Sequence, residues 1–159
     1  TYVDSKGTVI RAVLEAGLGE LLAETERAVR HIASSSKVLS AVIAARVDFF
    51  LAYPDYLLLF HQVRGMMQLK VEAAKDLQEV YDVHLRRLAQ LVRPVVGTAG
   101  AISARDLAIS VAAYTSGLLT YHVLFEGIEG PTRRRDSIVR ALKRSLQALL
   151  KVGSGNGSR

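Results

Sequence analysis

Apolar residues recur at steps of three and four along almost the whole chain, the period of an α-helix with one face turned inward. From Ser5 the stripe runs through Val9, Ile10, Val13, Leu14, Leu18, Leu21, Leu22, Val29 and Ile32. Asp4 or Ser5 supplies a natural N-cap for it, and Gly17 and Gly19 weaken it only slightly. The run Ser34, Ser35, Ser36 ends this helix and caps the next, 37–52, which carries Leu39, Val42, Ile43, Arg46, Phe49 and Phe50. Pro54 suits the first turn of a short helix over 54–63, because its missing N–H would be unpaired there in any case. Gly65 separates that helix from a long one over 66–95, with Pro94 disturbing its last turn. After a loop at 97–100, Ser103 to Asp106 has the form of a capping box with a short acid, opening a helix over 104–125. A turn at 127–131 leads to the last helix, 132–152, and a glycine- and serine-rich tail follows at 153–159. Strand-like alternation is absent. The pattern predicts an all-α, six-helix bundle forming one domain over residues 1–152.

One helix departs from the one-sided pattern. Over 104–125, Leu107, Val111, Tyr114, Leu118 and Tyr121 occupy one side, and Ile109, Ala113, Thr120 and Leu124 occupy others. A helix that is apolar all round needs cover all round. The expectation is that one side meets the chain's own core and the other a second copy. Ile109, Ala113, Thr120 and Leu124, with Ile138, Leu142, Leu146 and Leu149 of the last helix, then form a four-helix homodimer interface.

Composition narrows the picture. Half of the 159 residues are hydrophobic, prolines number three, and cysteine is absent, which excludes disulfides and thiolate chemistry. No apolar run approaches the roughly 20 residues of a membrane span, since Ser110, Tyr114, Ser116, Thr120 and His122 interrupt the most apolar stretch. No secretory leader pattern opens the chain. The expectation is a soluble, cytoplasmic protein with no membrane partner. A net charge of +6 is spread along the chain, densest from Arg133 to Arg144, and reads as solvated helix surface. No nucleophile elbow, phosphate-cradling loop or His-Glu-x-x-His occurs, so an enzyme is not expected, nor is a metal or cofactor.

The first residues carry a resemblance. Tyr2, Val3, Asp4, Ser5 and Lys6, followed by the helical run from Gly7 to Val13, resemble the junction in TetR-family regulators where the DNA-binding helix-turn-helix ends. That family prefers Phe where Val3 stands, and acidic residues where Gly7 and Thr8 stand. The stretch from Asp48 to Tyr56 is similar to the family's link between helices, an aromatic residue, two or three more residues, then Asn or Tyr, Pro and an acid, and Ser116 to Leu119 is similar to its small-Gly-Leu-Leu stretch. The resemblance implies a bundle of the TetR C-terminal type whose last two helices dimerise. It further implies that a three-helix DNA-reading region precedes Thr1, with residues 1–6 as the junction to it. Lys6 matches the family lysine that contacts a DNA phosphate.

The resemblance also implies a ligand cavity within the bundle. Its lining candidates are Phe49, Tyr53, Phe60, Met66, Met67, Tyr81, His84, Leu88, Tyr114, Leu118 and His122, a mix of apolar walls, adaptable thioethers and a few polar tips. His84 and His122 lie among apolar neighbours, so each needs a buried partner, from a ligand or from the core. The expected function is the effector-binding and dimerisation part of a repressor that releases operator DNA when a small apolar or aromatic ligand enters. A helical carrier of lipid-like molecules is the alternative.

Overall fold

The computed structural model describes residues 2–69, 71–97 and 102–151, with side chains at 7–67, 75–97 and 102–151. Among them are helices α1 (Tyr2–Val29), α2 (Ser35–Ala52), α3 (Pro54–Leu69), α4 (Val71–Val96), α5 (Ala104–Glu126), the single turn α6 (Gly130–Arg133) and α7 (Arg135–Lys151), and no strand. The all-α expectation holds. Several boundaries moved. α1 already includes Asp4 and Ser5, so neither caps it, and it ends at Val29, ahead of the serines. Ser34 stands at the N-cap of α2, yet its hydroxyl pairs with that of Ser36 (2.8 Å) and makes no cap bond. Gly65 lies inside α3, where it is exposed; one glycine does not break a helix whose apolar face is otherwise buried. The turn predicted at 127–131 contains the first half of α6, and α7 starts three residues later than the pattern suggested. The Lys6 side chain and the tail at 153–159 lie outside the described residues.

Other signals worked as local chemistry requires. Pro54 opens α3. Ser103 accepts the Asp106 amide (3.0 Å), while its own hydroxyl donates to the Asp106 carboxylate (2.8 Å), so the short acid closes the cap through the side chain. α4 runs past Pro94 and gives way at Gly97, whose φ of +66° favours glycine.

The core is built around α2 and α4. α2 packs on α1, α3, α4, α5 and α7, and α4 packs on α1, α2, α3 and α5. Leu14, Leu21, Val42, Ile43, Leu88, Leu107, Val111 and Leu119 are among the fully buried side chains. α7 lays Ile138, Val139, Leu142 and Leu146 against this core and is tied to α2 by a bidentate pair from Arg135 to Asp48 (2.7 and 2.9 Å). α5 is, among the described residues, the one helix long and apolar enough by length and composition to cross a membrane, contrary to expectation. It packs on α2, α3, α4, α6 and α7, and about a third of its apolar window (33 %) is buried.

At the corner between α2 and α3 the aromatic residues of the Asp48–Tyr56 stretch form a cluster. Tyr56 stacks between Phe49 and Phe60, at 5.8 Å from each, and Phe50 meets Phe60 edge-on at 5.9 Å. α1 passes directly over these rings. A Cβ at Gly17 would fall 2.7 Å from Tyr56 Cε1 and 3.0 Å from Phe60 Cζ, so this glycine is what lets α1 approach. Gly19, two residues on, faces open space. The two are expected to respond with opposite signs in denaturant unfolding. Gly17→Ala overpacks rings already held on both faces and destabilises by about 1–3 kcal/mol. Gly19→Ala stabilises by up to about 1 kcal/mol through helix propensity.

Candidate ligand-binding site

Arg46 lies in the apolar stripe of α2, one turn from Val42, Ile43, Phe49 and Phe50, and that placement drives it inward. It is only 3 % exposed. No carboxylate neutralises it; its hydrogen bond goes to His84 of α4, Nη1 to Nε2 at 3.2 Å. A guanidinium has donors only, so the imidazole accepts through Nε2 and carries its proton on Nδ1. Arg46 Nε and His84 Nδ1 are both buried without a well-formed hydrogen bond. The Leu18 backbone favours the protonated imidazole, against burial and the Arg46 charge. Burial holds the Arg46 pKa down to about 10, so the side chain stays charged at neutral pH. Burial, then the Arg46 charge, pushes His84 down to about 3, so it stays neutral.

This pair borders a half-open cavity of about 240 Å³ lined by residues of α1 to α5. Leu18, Leu21, Phe50, Phe60, Leu85 and Ala112 supply apolar wall. Besides Arg46 and His84, its polar members are Arg64, Tyr81 and Ser116. Arg64 donates to the Ser116 hydroxyl at 3.0 Å, and Ser116 donates in turn to the Ala112 carbonyl at 2.9 Å, which orients the guanidinium. Tyr81 reaches the Phe60 carbonyl at a long 3.4 Å. Its pKa is pushed up to about 12 by burial, against the pull of Arg64, so it remains a neutral donor. Arg46, Arg64 and Ser116 were not among the expected site residues. The available signal was a lone arginine within the α2 stripe; Arg64 and Ser116 carried none, since only the fold brings α3 and α5 together.

Of the eleven expected lining residues, Phe60, Tyr81 and His84 border this cavity. Leu88 is sealed in the core. Phe49 and Tyr53 belong to the aromatic corner, where their rings lie 5.1 Å apart. Met66 and Tyr114 are exposed, and Met67 and Leu118 are half-buried away from the cavity. His122 faces its own helix, 3.4 Å from Glu126 one turn on. The interface residues also divide. Ile109, Ala113 and Leu124 are exposed on α5 and Thr120 is half-buried. Ile138, Leu142 and Leu146 are buried inside the chain, and Leu149 packs against the same core. The single apolar face of α7 is thus consumed by α2 and α5, which corrects the expectation that it stays available to a second copy.

A second hollow, about 210 Å³, lies between α1 and α4 on the other side of His84. Its charged rim is internally matched: Arg11 meets Glu15 (2.9 Å) and Glu79 (4.0 Å). Arg87, at its edge, pairs with Glu26 at 2.8 Å. The α2–α5 cavity has no such balance. No known protein family, curated protein or solved structure matches this chain.

Two measurements test the buried pair. Below pH 6.5 the unfolded chain protonates His84 while the folded chain refuses the proton until about pH 3. Stability is therefore expected to fall as pH drops through that window, at up to about 1.4 kcal/mol per pH unit. His84→Gln, which keeps an acceptor for Arg46 without titrating, should lose that part of the slope in urea unfolding between pH 7 and 4. Arg46→Met removes a buried charge whose desolvation costs several kcal/mol and leaves the His84 acceptor unpaired at about 1–3 kcal/mol, so a modest net rise in stability is expected at neutral pH.

Proposed function

We propose that this chain is the effector-binding and dimerisation part of a TetR-type transcriptional regulator, a cytoplasmic repressor that releases operator DNA when a small ligand enters the α2–α5 cavity. The observation that carries this reading is a half-open apolar cavity bordered by Arg46, whose buried Nε has no partner, and by its neutral neighbour His84. Polar groups buried without partners destabilise a protein, and they persist where a ligand completes them. Such a cavity inside an all-helical bundle is what an effector domain requires.

The same arrangement supplies a route for the signal. Leu18 and Leu21 of α1 border the cavity with residues of α2, α3, α4 and α5. A ligand that prefers one packing of these helices biases α1, whose first residues carry the junction resemblance. DNA contact through Lys6 belongs to this proposal.

Dimerisation is supported by α5. Its outward face shows Tyr121 at 62 %, Leu124 at 70 % and Phe125 at 78 % exposure, with the Tyr121 and Phe125 rings stacked at 6.2 Å. Ile109 and Tyr114 extend the same exposed apolar surface, and a Cβ at Gly117, between them and Tyr121, meets nothing within 4 Å. A patch of that character on a helix is partner surface, and an unfilled glycine in its middle permits a second helix to come close.

In sedimentation equilibrium the chain is expected to be a dimer. Phe125→Arg is expected to weaken it about thirtyfold or more, as removing an aromatic anchor costs on the order of 2 kcal/mol, with unchanged circular dichroism. A wild-type monomer at high concentration removes the dimer. The regulatory part is tested with the protein carrying the residues encoded before Thr1, measured on DNA flanking its own gene. Operator binding that a cavity ligand abolishes supports the proposal. Cavity binding with no DNA binding points instead to a carrier of small molecules.

A further inference from the structure

The walls of the α2–α5 cavity hold two arginines, Arg46 and Arg64, and no carboxylate. Their hydrogen-bond partners are neutral: His84 for Arg46 and the Ser116 hydroxyl for Arg64. At the α1–α4 hollow of similar size, acids stand beside the arginine, as Glu15 and Glu79 do beside Arg11. Two positive charges face one apolar space, one of them 3 % exposed, an arrangement that favours negative charge there.

We propose that this cavity takes a small carboxylic acid with one aromatic ring or a short acyl chain, its carboxylate held between Arg46 and Arg64 and its apolar body against Leu21, Phe50 and Phe60. The proposal rests on reading the cavity as an effector site and names the effector's chemical class. A carboxylate is the planar acceptor that matches a guanidinium fork. Because His84 takes Nη1 of Arg46, the side edge of that guanidinium, which carries the unpartnered Nε, is left to donate. Ser116 holds Arg64 in place from α5, and the weakly engaged Tyr81 hydroxyl stands nearby as a further donor. His84 stays neutral and so does not compete as a third cation; its part is to orient Arg46. Size sets the other limit. An apolar cavity of roughly 150 Å³ accommodates benzene, and drug-sized ligands fill about 300 Å³ or more. The volume of about 240 Å³ lies between, room for one ring or a short chain with its acid group. A phosphate ester carries a more strongly hydrated dianion, and this cavity offers few donors to replace that hydration.

The test is isothermal titration of the 159-residue chain with benzoate and hexanoate. Benzamide and hexanamide serve as neutral counterparts and phenyl phosphate as the alternative anion. Each acid is expected to bind at least about tenfold more tightly than its amide, the scale of a charge-assisted hydrogen bond. R46M is expected to abolish that preference while leaving the amides unchanged. R46K, which keeps the charge and loses the fork, should fall between. R64Q, at a part-buried position, should also weaken the acids selectively and tests the second arginine independently of Arg46. Equal binding of acid and amide, no binding by any of them, tighter binding of phenyl phosphate, or an acid preference that survives both R46M and R64Q overturns the proposal. The titration involves no DNA, so the two readings fail separately. Acid binding without any effect on operator DNA removes the regulator and keeps the acid site; operator release by an amide and not by its acid does the reverse.

Discussion

The rest of this structure depends on how Arg46 is kept out of water. A guanidinium inside an apolar bundle is tolerable only with partners, and α2 leaves it no choice of position, because Val42, Ile43, Phe49 and Phe50 on the same face are all buried. The partner that the fold provides is a neutral imidazole, which satisfies one donor and cancels no charge. The helices α1 to α5 therefore line a space with an unspent electrostatic demand. A bundle selected for stability alone would fill that space with aliphatic side chains.

The surroundings keep this arrangement in place. The stacked rings of Phe49, Tyr56 and Phe60 brace the α2–α3 corner, and Gly17 lets α1 rest against them, so the wall carrying Phe50 and Phe60 is closely packed. Arg135 clamps α7 to α2 from outside through Asp48. The opposite wall is less committed. Ile109 and Ala113 border the cavity and are exposed as well, on the face of α5 that has no cover within the chain. In the proposed dimer a second copy covers this same face, which couples the occupancy of the cavity to the subunit contact through α5.

The charges elsewhere follow ordinary rules. Arg11, Arg86, Arg105 and Arg134 meet carboxylates at partly exposed positions, where each pair contributes little. Basic composition alone thus says little about function here, because most of these cations are matched or solvated. The informative arginine is Arg46, which is buried with no acid beside it.

What the amino-acid order determined by itself is local. Three-and-four spacing made helices, Pro54 and Ser103 opened two of them, and Gly97 and Gly127 stand just past the ends of α4 and α5. These outcomes follow from propensity, caps and turns, which act within a few residues. Which faces meet was decided only by tertiary packing. α5 is apolar all round, so its period could not say that Leu107 and Val111 go inward while Tyr114 and Tyr121 go out. The apolar face of α7 could have served a dimer or the core, and the core took it. Arg46 and His84 are 38 positions apart and Arg64 and Ser116 are 52 apart. A cavity is a property of several helices packed together, and no window of sequence contains the distances that define it.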